Sequence, residues 1–174
     1  MFKGTYPHKI DPKGRLPVPA PFRRRLAEQG AAGVVLTVLD QCLAAYPPGE
    51  WRRLEEHLRG LPTFSRTTKA LSRLLASRAV DCEMDGQGRI LIPPNLRTVT
   101  KLGRDALVVG VLDRFEIWAP DAWETFVTES ERLLDDVSFD VPLPLASLSA
   151  ATPSPAAEPG GPRESRLPQR KPKH

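Results

Sequence analysis

Two stretches of this sequence are near copies of one another, and that duplication restricts the available folds more than any other feature. Asp11-Pro12-Lys13-Gly14-Arg15-Leu16-Pro17-Val18-Pro19 matches Asp85-Gly86-Gln87-Gly88-Arg89-Ile90-Leu91-Ile92-Pro93 at an offset of 74 residues. The correspondence continues through Phe22-Arg23 against Leu96-Arg97. It then runs through the apolar stretch 34–40 against 107–113 at an offset of 73, and through Tyr46 and Trp51 against Trp118 and Trp123 at 72. A drift of two residues means that short loops differ while the elements between them match. The chain is therefore expected to build two equivalent halves.

Each half reads alike. Alternating residues (Leu16 and Val18; Ile90 and Ile92) predict a hairpin strand that leads into a short helix near 21–28 or 94–101. An apolar strand follows (34–39; 107–112), then a turn at Asp40 or Asp113 and a second strand (43–46; 115–118). A helix closes each half: Trp51, Leu54, Leu58 and Leu61 fall at helical spacing after Pro48, and Trp123, Phe126 and Val127 follow Pro120 and Asp121. Between the halves, Ser65 is placed to cap a basic helix carrying Leu71, Leu74 and Leu75 on one face, a surface suited to self-association. The fold class is α+β, with a first repeat over 1–62, a linking helix over 63–80 and a second repeat over 81–140. A half of roughly 70 residues does not readily close a sheet alone, so the two copies are expected to form one pseudo-two-fold module with flanking helices.

The last segment, 141–174, is rich in Pro, Ala and Ser and lacks apolar periodicity, which predicts a disordered, basic tail. Charge is distributed unevenly. Residues 1–26 carry seven Lys or Arg against Asp11 alone, a net +6, whereas 27–140 are net −5 and the tail is net +3. A polyanion would be drawn to the N-terminal segment. No apolar stretch approaches the roughly 20 residues of a membrane span, and Lys3, Lys9 and Asp11 interrupt any secretory core. Cys42 and Cys82 form no C-x-x-C motif and read as reduced, buried thiols. A cytoplasmic protein is expected.

Asp11-Pro12-Lys13-Gly14 fits a type I turn, with Asp first, Pro second and Gly fourth; Asp85-Gly86-Gln87-Gly88 keeps Asp and Gly in the same places. The arginine after each turn, Arg15 or Arg89, begins the outgoing strand and faces the aspartate. Asp11, Gly14, Asp85 and Gly88 therefore read as the structural motif. For the arginines two readings stand side by side: a structural ion pair, or a guanidinium forking onto phosphate oxygens or a guanine edge. Arg15 has Lys3, Lys9 and Lys13 as basic company, whereas Arg89 lies among Asp81, Glu83 and Asp85.

The opening Met1-Phe2-Lys3-Gly4, the run Ile10 to Pro19, the second Asp-x-x-x-Arg at Asp85 and Arg89, and Tyr46-Pro47 to Trp51 with its echo at Glu116-Ile117-Trp118 to Trp123 together resemble the bacterial MraZ family. The resemblance spans roughly residues 1–140. It implies a swapped-hairpin, AbrB-like fold in which two tandem β-α-β repeats form one β-barrel module, with copies of the chain assembled into a ring-like homo-oligomer. It also implies a nucleoid-associated transcription regulator that binds double-stranded DNA at direct repeats upstream of the division and cell-wall gene cluster, its own gene included. The family's DNA-contacting arginine falls on Arg15 and Arg89. Its lysine falls on Lys13, with Gln87 in the second copy, and Lys3 matches a commonly basic position. Lys9 completes the candidate DNA-binding set.

Other function classes find less support. His8, His57 and His174 have no partner at relay or metal spacing, and Gly86-x-Gly88 is a turn, not a dinucleotide loop. No enzyme activity, cofactor, metal or small-molecule substrate is expected. An antitoxin-like protein-binding module with non-specific DNA affinity is the alternative.

Overall fold

The computed structural model describes residues 1–62 and 65–136. The tail expected over 141–174 lies outside the described residues, as do 63–64 of the linking segment and 137–140 of the second repeat. The first copy holds strand β1 (Thr5–Lys9), strand β2 (Arg15–Pro17), helix α1 (Ala20–Glu28), strands β3 (Gly33–Leu39) and β4 (Cys42–Tyr46), and helix α2 (Pro48–Gly60). Helix α3 (Arg66–Ser77) links it to the second copy, which holds β5 (Val80–Glu83), β6 (Arg89–Leu91), α4 (Pro94–Val99), β7 (Asp105–Val111), β8 (Arg114–Trp118) and α5 (Pro120–Asp136). Proline opens α1, α2 and α4, where a missing N–H costs the helix nothing. Ser65 caps α3, its Oγ accepting from the Thr68 N–H. The result is a mixed α/β fold with a mostly antiparallel sheet.

Strand partners cross between the copies. The six-stranded sheet runs β1-β7-β8-β4-β3-β5, so β1 of the first copy pairs with β7 of the second, and β5 of the second pairs with β3 of the first. Strands β4 and β8 meet at the middle, Leu43 opposite Ile117. A separate two-stranded ladder joins β2 to β6, Leu16 opposite Ile90. The expected hairpins thus exist only at their tips, and beyond the tip each strand ladders with the other copy. Alternation identifies the buried face of a strand without naming its neighbour, so this exchange is a structural finding.

The apolar run in β3 is continuous because the strand is covered on both faces. Leu36 and Val38 enter the main core with Phe2, Leu16, Val18, Phe22, Ile90, Ile92 and Phe115, while Val35 packs toward Tyr46, Trp51 and Leu75. Buried Thr37 donates its hydroxyl to the Leu75 carbonyl (2.9 Å) and so ties α3 to the sheet. Phe2 and Phe22 of the first copy pack on Phe115 of the second, with ring centroids 5.2–5.6 Å apart. Leu75 therefore faces inward, and only Leu71 and Leu74 of the expected α3 stripe are exposed. Both cysteines are buried and unpaired; burial pushes the Cys82 thiol up to about 11 and the Cys42 thiol higher still.

Helix α4 spans six residues where α1 spans nine. The loops that follow compensate, and β3 and β7, each of seven residues, start at Gly33 and Asp105, an offset of 72. The left-handed residues after them are Asp40 (φ 50°) and Leu112 (φ 56°), so Asp40 corresponds to Leu112 and not to Asp113 as the sequence match suggests. Because the aromatic cluster and both sheet edges draw on the two copies together, the described unit is expected to unfold in one transition. Phe22→Ala should cost about 3–5 kcal/mol in urea unfolding. Loss of one copy before the other, by tryptophan fluorescence and circular dichroism, would contradict shared strands.

Candidate functional site

The two Asp-x-x-x-Arg turns have the same construction. The Gly14 N–H donates to the Asp11 carbonyl (2.9 Å) and the Asp11 N–H to the Arg15 carbonyl (3.0 Å); Gly88, Asp85 and Arg89 repeat this at 2.8 and 2.8 Å. This is a type I turn followed by a left-handed bulge residue, and that residue is Gly14 (φ 85°) in one tip and Gly88 (φ 73°) in the other. The aspartate closes the turn from inside. Asp11 Oδ1 accepts from the N–H groups of Lys13 and Arg15 (both 2.9 Å), and its Oδ2 accepts from Arg15 Nε (2.6 Å). Asp85 does the same with Gln87, Arg89 and Arg89 Nε, and its Oδ2 also pairs with Arg89 Nη2 (2.8 Å). The side-chain hydrogen bond from Arg89 leads the causes that hold the Asp85 carboxyl at about 2, and the backbone N–H of Arg15 leads those that hold Asp11 low.

The β2–β6 ladder sets the tips side by side. Arg15 lies opposite Leu91 and Arg89 opposite Pro17, so both arginines share the outer face while Leu16 and Ile90 bury on the inner one. The tips touch electrostatically, with Arg89 Nη1 4.0 Å from Asp11 Oδ2. They differ in what remains free. Arg15 commits only Nε and its backbone to Asp11, and its two terminal amino groups have no partner among the described residues. Arg89 commits Nε and Nη2 to Asp85 and leans its third nitrogen toward Asp11.

The other expected basic residues divide. Lys13 is exposed at the first tip, and exposed Lys9 ends β1 just before it. Lys3 is exposed at the far end of β1, separated from the tip by roughly 25 Å of extended chain, so the structure does not bring it to the cluster. Half-buried His8 is held below its usual range by burial and by Arg23. Of the arginine triplet, Arg23 lies over Gly88 and donates to the Val18 carbonyl (2.6 Å), Arg24 is exposed, and Arg25 pairs with Glu28.

Two arginines that the sequence reading did not single out join the first tip. Arg97 of α4 lies 3.5 Å from where a Cβ on Gly14 would sit, as Arg23 does, more tightly, at Gly88. Arg104 accepts the Ile10 N–H on its carbonyl (2.7 Å) and stands beside it. The match of Arg23 with Arg97 in the repeat was the available signal for the first; nothing in the sequence marked the second. Among the described residues no group of three or more His, Cys, Asp or Glu side chains is placed to hold a metal ion, and no helix is long and apolar enough to cross a membrane.

The turn carboxylates carry a pH signature. Folded-state values below the ordinary 3.8 mean that these groups stabilise the tips above about pH 4, a contribution lost as pH falls through about 2 at Asp85. Carboxyl-carbon NMR titration should place the Asp85 midpoint near 2, and a midpoint near 4 would contradict the bonded tip.

A family model described as "MraZ protein, putative antitoxin-like" matches twice in succession, over residues 1–74 and 75–138. A protein of Ligilactobacillus salivarius, named "Transcriptional regulator MraZ", is 47 % identical over 138 residues, 79 % of this chain and 94 % of the relative. Proteins of the same name from Limosilactobacillus reuteri and Pelotomaculum thermopropionicum are 44 % and 45 % identical, over 81 % and 79 % of this chain and 97 % and 93 % of their own lengths.

Proposed function

The chain belongs to the MraZ family, and from that premise we propose that it is a sequence-specific, DNA-binding regulator of transcription and not an enzyme. Arg15 is the principal base-reading residue, Lys13 and Lys9 supply phosphate contacts beside it, and Arg89 supports from the second tip. Asp11, Gly14, Asp85 and Gly88 shape the tips. The observation that carries this reading is the free end of Arg15. Its Nε is anchored to Asp11, which fixes the side chain's direction, while its terminal amino groups remain available to a guanine edge or a phosphate.

The exchange of β1 and β5 between the copies supports a swapped-hairpin, AbrB-like module, with repeats over 1–62 and 81–140 around a linking segment that holds α3. The targets are direct repeats upstream of the division and cell-wall gene cluster, including the chain's own gene, in the cytoplasm and at the nucleoid. One tip contacts few base pairs and binds weakly. A ring of copies, held through exposed apolar residues such as Leu71 and Leu74 on α3 and Phe126 on α5, would present several tips to repeats about one helical turn, ~10 bp, apart and gain affinity through effective concentration. The DNA bends or the ring distorts to let successive tips engage. The family description's "antitoxin-like" favours, as a second reading, a module that holds another protein.

Fluorescence anisotropy with DNA from upstream of the gene and a scrambled duplex separates these readings. The wild type should prefer the native duplex and weaken steeply with salt. Arg15→Ala, folded by circular dichroism, should lose about tenfold or more on native DNA, since each forked base contact contributes about 1–3 kcal/mol of discrimination. A wild type without sequence preference would favour the protein-binding module.

A further inference from the structure

The two tips are equivalent in backbone and unlike in surroundings. At the first tip the Ile10 N–H bonds the Arg104 carbonyl, and at the second the Met84 N–H bonds the Ala32 carbonyl (2.9 Å), so Ala32 occupies the position of Arg104. By the same correspondence Glu83 stands where Lys9 does and Gln87 where Lys13 does. Three cationic positions of the first tip are thus neutral or acidic at the second.

Two of them, Lys9 and Arg104, converge on a cleft with Arg97. A depression of about 480 Å³ beside the first tip is lined by Lys9, Ile10, Asp11, Pro12, Arg97 and Arg104. Its one carboxylate, Asp11, is already engaged by Arg15. Lys9 and Arg104 are exposed and their side chains have no partner among the described residues; Asp105 sits opposite Lys9 in the β1–β7 register without forming an ion pair. Arg97 Nε is buried with no acceptor, and Arg97 Nη2 reaches the Gly103 carbonyl only at 3.4 Å. Three cationic side chains thus line a cleft whose one carboxylate is already engaged, which leaves an excess of positive charge suited to a phosphate. At the second tip, Arg23 instead donates to Val18 and covers Gly88.

We propose that the cleft formed by Lys9, Arg97 and Arg104 holds a backbone phosphate of the bound duplex, and that this clamp, absent at the second tip, fixes which tip enters the groove and hence the direction in which each module lies on DNA. The inference rests on the DNA-binding reading above. Phosphate contacts set register and orientation, and base contacts set sequence. A module with one clamp suits head-to-tail sites, whereas two equal clamps would suit palindromes.

The test uses the full-length protein, native and scrambled duplexes, and salt titrations. Lys9→Ala and Arg104→Ala should each weaken both duplexes alike, by about fivefold, and lower the salt slope by about 1, leaving the ratio between duplexes intact. Arg52→Ala, on α2, should change neither. Glu83→Lys combined with Ala32→Arg, both at exposed positions, should build a second clamp, raise the slope by about 2 and increase binding to an inverted repeat relative to a direct one. Unchanged affinity and slope in Lys9→Ala and Arg104→Ala, with the wild type still sequence-specific, would overturn the clamp while leaving the DNA-binding reading in place. A selective loss on native DNA would overturn it too, by making these residues base readers. A wild type that binds no DNA would overturn both.

Discussion

Backbone hydrogen bonds that neither copy can make alone hold this molecule together. β1 has no ladder partner in its own copy and finds β7 in the other; β5 does the same with β3, and β2 and β6 pair with each other. β1 and β5 are the exposed edge strands of the sheet, and pairing with the other copy is what buries Phe2 and Ile10 beside β1 and Cys82 within β5 in the common core, so the copies interlock. The β2–β6 ladder is the shortest of these pairings, yet it brings two Asp-x-x-x-Arg turns, 74 residues apart in sequence, onto one face. The shared face of the two tips is therefore a consequence of how the sheet is completed.

The Asp–Arg pairs orient more than they stabilise. Exposed ion pairs contribute little free energy, but each aspartate here accepts three hydrogen bonds that fix both the turn and the direction of its arginine. An arginine held this way reaches a partner with less freedom left to lose. The difference between the tips then lies in the guanidinium's remaining donors and in the neighbouring charge. Arg15 has donors to spare and cations around it, and Arg89 spends a second nitrogen on Asp85.

Much of this was legible in the sequence. Apolar periodicity located the helices and the strands other than β1 and β5, Pro48 and Ser65 marked helix starts, and Asp-Pro-Lys-Gly specified the turn together with the Asp–Arg pairing, because these features depend on nearest neighbours. What depended on distant partners was not legible. Alternation at Leu16 and Val18 identified a buried face but not that β6, with Ile90, would supply the neighbouring strand. Leu75 turned inward because Thr37 holds the end of α3 by its carbonyl, a contact invisible in the spacing of leucines. Lys3 looked like basic company for Arg15 by proximity in sequence, and an extended β1 carries it away. Arg97 and Arg104 come to the first tip only through the exchange, so no local pattern could place them.

Under the proposed function, the first tip, set by strand exchange and steered by Asp11, is the part of the chain that meets DNA. Cryo-electron microscopy of the full-length protein on a duplex carrying its upstream repeats tests it directly. The expected structure has the Arg15 amino groups within about 3 Å of a base edge or phosphate oxygen, with the Asp11 bonds intact and β1 still paired to β7. A complex in which DNA contacts another surface, or in which the 11–15 tip points into solvent, would contradict it.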